Sequence, residues 1–120
     1  WELKFFKWCD INPTVLKWSS ESVCVPYISP VDGKMHRYYV DNVVHIQEGT
    51  NVVKYLIEIK PYKQTKPPIT TGKKKKTTLI HEAATWGVNQ AKWQAAMKWA
   101  DKNGYKFQLV TEKDFTLFTR

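Results

Sequence analysis

The middle of the chain carries its strongest constraint. Two β-rich runs, MHRYYVDNVVHIQ (35–47) and VVKYLIEIK (52–60), are separated only by EGTN (48–51), whose turn chemistry predicts a hairpin. Strand side chains alternate between faces, so Glu58 and Lys60 share one face while Ile57 and Ile59 take the other. With the chain turning around EGTN, Gln47 opposes Val52 and Asp41 opposes Glu58, their Cβ atoms about 4.5–5.5 Å apart. Two ionised carboxylates that close repel each other. Three outcomes are open: one takes up a proton, a basic group bridges them, or a cation sits between them. A slip of one residue would undo the pairing.

Oxygen ligands from adjacent strands suit a hard divalent cation. Mg²⁺ takes one or two carboxylates and completes its octahedron with waters and phosphate oxygens. Asp41 and Glu58 are therefore candidate metal ligands, with the backbone carbonyl of Ile59 as a further one. A metal so held activates water and stabilises charge on a scissile phosphate. Lys60 would orient the attacking water, lower its pKa or neutralise the transition state. The plain alternative is a cross-strand acid–lysine bridge on an exposed sheet face, because acid-x-Lys is a common pattern. The register, the second acid and the basic segment downstream favour the metal site.

That basic segment holds most of the chain's excess charge. The formal net charge is +8, and eight lysines against one glutamate fall between Lys54 and Thr78. A localised basic patch points to a polyanionic partner, most often nucleic acid. PYKQTKPPITTGKKKKTT (61–78) has three prolines, a glycine and no periodicity, and reads as a mobile basic loop.

Elsewhere, ELKFFKWCD (2–10) places Leu3, Phe6 and Cys9 on one helical stripe, widened by Phe5 and Trp8, and INPT ends it. ESVCVPYIS (21–29) reads as a strand and SPVDGK (29–34) as a turn. After the loop, a helical region to Asn103 shows Trp93, Ala96, Met97 and Ala100 at core spacing, with Asn89 placed to cap a second segment after Gly87 and Gly104 as its stop. YKFQLVT (105–111) reads as a strand, and EKDFTLFT (112–119) as a closing helix capped by Thr111. The order is α-β-β-β-α-β-α, one α/β domain over residues 1–120 with a mixed sheet flanked by helices. The chain starts at Trp1 inside a predicted helix, which points to a truncated N-terminus. No apolar run approaches the roughly 20 residues that span a bilayer, so no membrane role is expected. Cys9 and Cys24 fit buried thiols of an intracellular protein better than a disulfide framework.

These residues resemble the PD-(D/E)xK nuclease superfamily, in which a hairpin carries an acid and then acid-x-lysine. Here VD (40–41) stands as the first half-motif, with Val40 in place of the usual proline, and EIK (58–60) as the second. The N-terminal 41 residues, YLIEIKPYKQTKPP and NQAKWQAAMKWADKNGYKFQLVTEKDF are similar to the head-completion nucleases of tailed bacteriophages, a likeness covering most of the chain except the lysine run. Similar spacing occurs in transposon endonucleases of the same superfamily. The resemblance implies a restriction-endonuclease-like fold and a Mg²⁺-dependent DNA endonuclease, with Mn²⁺ able to substitute. It implies hydrolysis without a covalent enzyme intermediate. It also implies duplex DNA and phage capsid or portal–neck proteins as partners, and a place in the phage head, reached through the host cytoplasm. It assigns Glu2 on the first helix to the site as a catalytic residue and metal ligand; by itself Glu2 reads as an acid favouring the helix N-terminus. The alternatives are a non-catalytic DNA-binding head protein and a transposon- or repair-type endonuclease of the same fold.

Further candidates for nucleic-acid contact surround this site. Lys63, Lys66, Lys73, Lys74, Lys75 and Lys76 would neutralise phosphates without reading sequence. Gln64 would meet phosphate or the attacking water, or have no role. Arg37 has the parity of Asp41 and would bind phosphate or bridge the acids. Lys92 and Asn89 would touch the DNA backbone; a solvated helical face and an N-cap are the respective alternatives. His45 shares the parity of Asp41 but lies near the turn, far from Lys60, and His81 has no partner at metal spacing, so both read as non-catalytic.

Overall fold

The computed structural model describes residues 2–69 and 72–114, with side chains from Phe5 onward. Helix α1 (Glu2–Ile11) gives way at Asn12–Pro13, where the Asn12 side chain accepts hydrogen bonds from the Thr14 N–H at 2.9 Å and the Thr14 hydroxyl at 2.7 Å. The first strand, β1 (Val15–Ser20), was not foreseen from sequence. Lys17 and two serines dilute its apolar pattern, and it gains its place as an edge partner of another strand.

The 35–47 run is not one strand. β3 (Met35–Tyr39) pairs antiparallel with β2 (Cys24–Ile28) in a separate ribbon, and β4 (Asn42–Glu48) belongs to the main sheet. At the step between them Val40 donates its N–H to the Val23 carbonyl at 3.0 Å, while the Asp41 carbonyl accepts from the Glu21 N–H at 3.1 Å. The chain therefore changes sheets at residues 40–41.

β4 pairs with β5 (Asn51–Ile59) around Gly49–Thr50. Gly49 takes a φ of 61°, and Gln47 faces Val52 in the expected register, which continues to Asn42 facing Ile57. β6 (Tyr105–Val110) adds parallel to β5 after the crossover helix α2 (Lys76–Asn103). The main sheet is thus mixed, in the order β1-β4-β5-β6. The observed sequence of elements, α-β-β-β-β-β-α-β, corrects the expected one by two strands before the long helix. The closing helix expected over 112–119 extends beyond the described residues. At its expected cap the described residues 112–114 form a turn, in which the Thr111 hydroxyl accepts from the Lys113 N–H at 3.2 Å and the Asp114 carboxylate accepts from the Thr111 N–H at 2.8 Å.

α2 runs unbroken through Gly87, so Asn89 caps nothing. A mid-helix glycine costs only about 1 kcal/mol, and a Cβ at position 87 would lie 3.5 Å from Pro30 Cγ in the β2–β3 turn. The helix ends at Gly104, whose left-handed φ of 74° lets its N–H bond the Ala100 carbonyl. Its buried face is Asn89, Trp93, Ala96 and Ala100, whereas Met97 is exposed.

Each face of the main sheet has its own core. On one, Val43 and Leu56 pack with Val25, Tyr38 and Val40 and with Ala96 and Ala100 of α2. On the other, Val44, Ile57, Ile59 and Val110 pack with Phe5 and Cys9 of α1. Burying a ring as fully as Phe5 contributes about 1.5–3 kcal/mol, which anchors α1 to the sheet. Burial, with the neighbouring Asp10 charge, pushes the Cys9 thiol up to about 12. Cys24, expected to be buried, is exposed, and both cysteines are free. Among the described residues no helix is long and apolar enough to cross a membrane.

Candidate active site

Asp41 and Glu58 meet at the open end of the β4–β5 pair. Glu58 follows Leu56 onto the α2 face of the sheet, and Asp41 leaves the ladder one residue before its first pair, Asn42–Ile57. The Asp41 carboxylate turns back onto β5, where its Oδ2 accepts the Ile59 N–H at 3.1 Å. In an extended residue the N–H and C=O project to the same edge, so the Ile59 carbonyl faces the Asp41 side as well. The Ile59 side chain lies in the α1-side core. The Lys60 N–H is held by the Val110 carbonyl at 3.0 Å, which secures the backbone just past β5. Its ammonium then reaches Glu58, with Nζ 3.4 Å from Oε1.

Tyr38 is the member of this cluster that sequence reasoning missed. Its hydroxyl donates a hydrogen bond to Glu58 Oε2. In one continuous strand Tyr38 would face away from Asp41; the change of sheet at 40–41 turns it inward. The one local signal was Asp41–Asn42, two residues that favour turns. The same step corrects the expectation for Arg37. It is exposed on the outer face of the ribbon opposite Pro26, and no ion pair joins it to either acid among the described residues.

Burial governs the electrostatics. Glu58 is 4% exposed, and desolvation pushes its carboxyl above the ordinary range. The Tyr38 hydrogen bond opposes this, the Asp41 charge adds to it and Lys60 opposes it; the net direction is upward. Burial, followed by the Glu58 charge, pushes the Tyr38 phenol up, so it remains a donor. A buried carboxylate beside a second acid, only partly offset by one lysine, is a site that gains from a cation. The donor set fits a hard one: two carboxylates and a main-chain carbonyl at one end of the β4–β5 pair. Asp41 Oδ1 carries no hydrogen bond among the described residues. Those residues hold no group of three His, Cys, Asp or Glu side chains, but a cation that keeps waters and phosphate oxygens needs only one or two carboxylates.

The family model described as TnsA-like endonuclease N terminal matches residues 12–112. The chain belongs to the TnsA-like endonuclease family. It is also 41% identical, over 117 residues, to the head completion nuclease of Enterobacteria phage T4, covering 93% of this chain and 75% of that protein. No solved structure matches it significantly. A mixed sheet flanked by helices is consistent with the restriction-endonuclease-like fold of such nucleases.

The remaining candidates of this TnsA-like chain lie on α1, on the segment after β5 and on α2. Glu2 begins α1, and its side chain lies outside the described residues. The segment after β5 is not wholly irregular, because Tyr62–Thr65 form a 3₁₀ turn and Lys76–Thr78 are already helical. Lys63 and Gln64 lie in that turn and Lys66 follows it, all three exposed. Lys73, Lys74, Lys75 and Lys76 are exposed on the approach to α2, with Lys74 held 2.8 Å from Glu82. The Lys92 ammonium lies 5.5 Å from the Tyr38 ring centroid and 5.9 Å from that of Tyr27. It stands over the aromatic pair, next to the tyrosine that holds Glu58. Asn89 is buried in mid-helix.

Proposed function

We propose that this nuclease is a metal-dependent DNA endonuclease that acts on packaged DNA during completion of a phage head. The observation that carries the chemistry is the juxtaposition of Asp41 and Glu58 at one strand end, with the Lys60 ammonium 3.4 Å from Glu58. Asp41, Glu58 and the Ile59 carbonyl would hold a Mg²⁺ or Mn²⁺ ion, with Glu2 added from α1. When bound, such an ion makes water more acidic and offsets charge on the phosphate.

The chain's own groups do the rest. Tyr38 occupies Glu58 Oε2 and, with Lys60 at Oε1, fixes the orientation of that carboxylate. Lys60 is partly exposed, so its ammonium reaches the open side of the site as well as Glu58. There it orients a water for attack on phosphorus and neutralises charge that grows on the phosphate oxygens. The P–O ester bond breaks, the departing oxygen takes a proton, and no covalent enzyme intermediate forms. The lysines after β5 hold the duplex by its phosphates. Capsid or portal–neck proteins would be the protein partners of this role.

The test is cleavage of plasmid DNA with Mg²⁺ or Mn²⁺ and with EDTA. Glu58→Ala and Lys60→Ala should each lower cleavage by roughly 10²–10³ while retaining duplex binding. Tyr38→Phe, which keeps the ring but removes the donor, should fall between them and the wild type. Full cleavage by Lys60→Ala would remove its assigned role. The family match also supports a second reading, a transposon- or repair-type endonuclease of the same fold; absence of the protein from purified virions would select that reading.

A further inference from the structure

A cavity of about 610 Å³ opens between the segment after β5 and the first half of α2. Ligand pockets typically fall in the range of about 300–1,000 Å³. Tyr62, Gln64 and Lys66 form one wall, and His81, Trp86 and Asn89 the other. Both walls lead to the acids. Tyr62 follows Lys60 by two residues. Asn89 lies one helical turn before Lys92, which stands over the tyrosine bonded to Glu58.

Three features specify the occupant. Trp86 offers a half-buried indole, braced by Trp93 in a T-shaped contact with centroids 6.3 Å apart. Asn89 is 7% exposed, lines the cavity and has no hydrogen bond to its amide among the described residues. It therefore presents both a donor and an acceptor to whatever enters. Lys63, Lys66 and Lys74 line the cavity too, and the Glu82 charge there is paired with Lys74 at 2.8 Å, so it does not oppose an anion. A flat, partly apolar group with a hydrogen-bonding edge and an attached phosphate matches all three. That group is a nucleotide. A paired base stays stacked within its duplex and cannot enter a side cavity, so the base must be unpaired.

We infer that this cavity receives one unpaired nucleotide of the DNA substrate: Trp86 stacks on the base, Asn89 bonds its edge and the lysines hold its phosphate. The inference rests on DNA being the substrate and makes duplexes carrying an unpaired nucleotide beside the cleaved bond the preferred form of it.

The experiment measures binding in EDTA to two duplexes of equal length, one fully paired and one with a single unpaired 2-aminopurine. The wild type should bind the second at least tenfold more tightly and quench its fluorescence. Trp86→Ala should reduce the preference below twofold without changing affinity for paired duplex. Thr85→Trp fills the cavity from an exposed position, leaves the Trp86–Trp93 contact in place and should do the same. Equal wild-type affinity for the two DNAs, or a preference that survives both substitutions, would overturn the inference. So would displacement of the DNA by free deoxynucleoside monophosphate, which would assign the cavity to a small ligand. Cleavage of both duplexes with Mg²⁺, measured alongside, separates the two claims. Cleavage without the binding preference removes only the pocket; the preference without cleavage supports the pocket and removes only the nuclease chemistry.

Discussion

Asn42 is fully buried, and neither its Nδ2 nor its Oδ1 has a hydrogen-bond partner among the described residues. It opens β4 directly after Asp41, faces Ile57 across the pair and by alternation shares the α1 side of the sheet with Val44. An unsatisfied buried amide costs about 1–3 kcal/mol. Glu58, the next residue along β5 from that pair, is a second costly group, because its charge is buried on the opposite face. The strand ends that carry the acids thus hold two costly buried polar groups, a pattern expected where activity opposes stability. Asn42→Val removes two unpaired polar atoms and adds a β-branched side chain suited to a strand. It should raise unfolding stability by about 1–3 kcal/mol, read from urea midpoints at constant slope. A loss of stability would mean that the amide has a partner in solution that offsets its burial.

At the level of elements, the β4–β5 register was legible because two local signals agreed: a turn at Gly49–Thr50 and apolar alternation on both sides of it. The break between β3 and β4 was not, because both halves are β-rich and no glycine or proline separates them. What divides them is long-range, namely the pairing of one half with β2 and of the other with β1. Tyr38 was lost with that break, since its parity follows from where the strand ends. Asn89 was misplaced for a related reason: Gly87 reads as a helix stop until Pro30 is seen packed against it. The depth of Glu58 also depends on the β2–β3 ribbon closing over its face, which no local pattern encodes. The same register sets a charge row across the sheet. His45 on β4 pairs with Lys17 on β1 and Lys54 on β5, and its ring lies 6.4 Å from Tyr105 on β6. Burial, then Lys17 and Lys54, lower its pKa below 6.5. The folded state therefore favours neutral His45, and its contribution is complete above the unfolded value and lost as pH falls through it toward the lower folded one. Stability of the wild type should fall between pH 7.5 and 5 by up to about 1 kcal/mol more than that of His45→Gln, since like charges directly opposite destabilise a sheet by that order. Equal pH dependence of the two proteins in thermal melts would remove His45 as the cause.

For the whole molecule, the decisive quantity is where the charge sits. The net charge is +8, yet the sheet and its two cores are close to balanced, and the excess lies on the segment between the acids and α2. Four consecutive lysines lead into the N-terminus of a 28-residue helix, whose dipole is itself positive there. That placement disfavours the helix in isolation and favours it once phosphates arrive. Lys73, Lys75 and Lys76 have no ion pair among the described residues, whereas Lys74 is partly spent on Glu82. Changing Lys73–Lys76 to alanine should therefore remove about three phosphate contacts rather than four. The slope of log affinity against log salt should become shallower by up to about 2.7. Alanine is the better helix former and relieves the repulsion, so the melting temperature should hold or rise. Weaker binding could then not be blamed on unfolding. A slope unchanged by the four substitutions would take this segment out of the DNA interface and leave Lys63, Lys66 and Lys92 to hold the duplex alone.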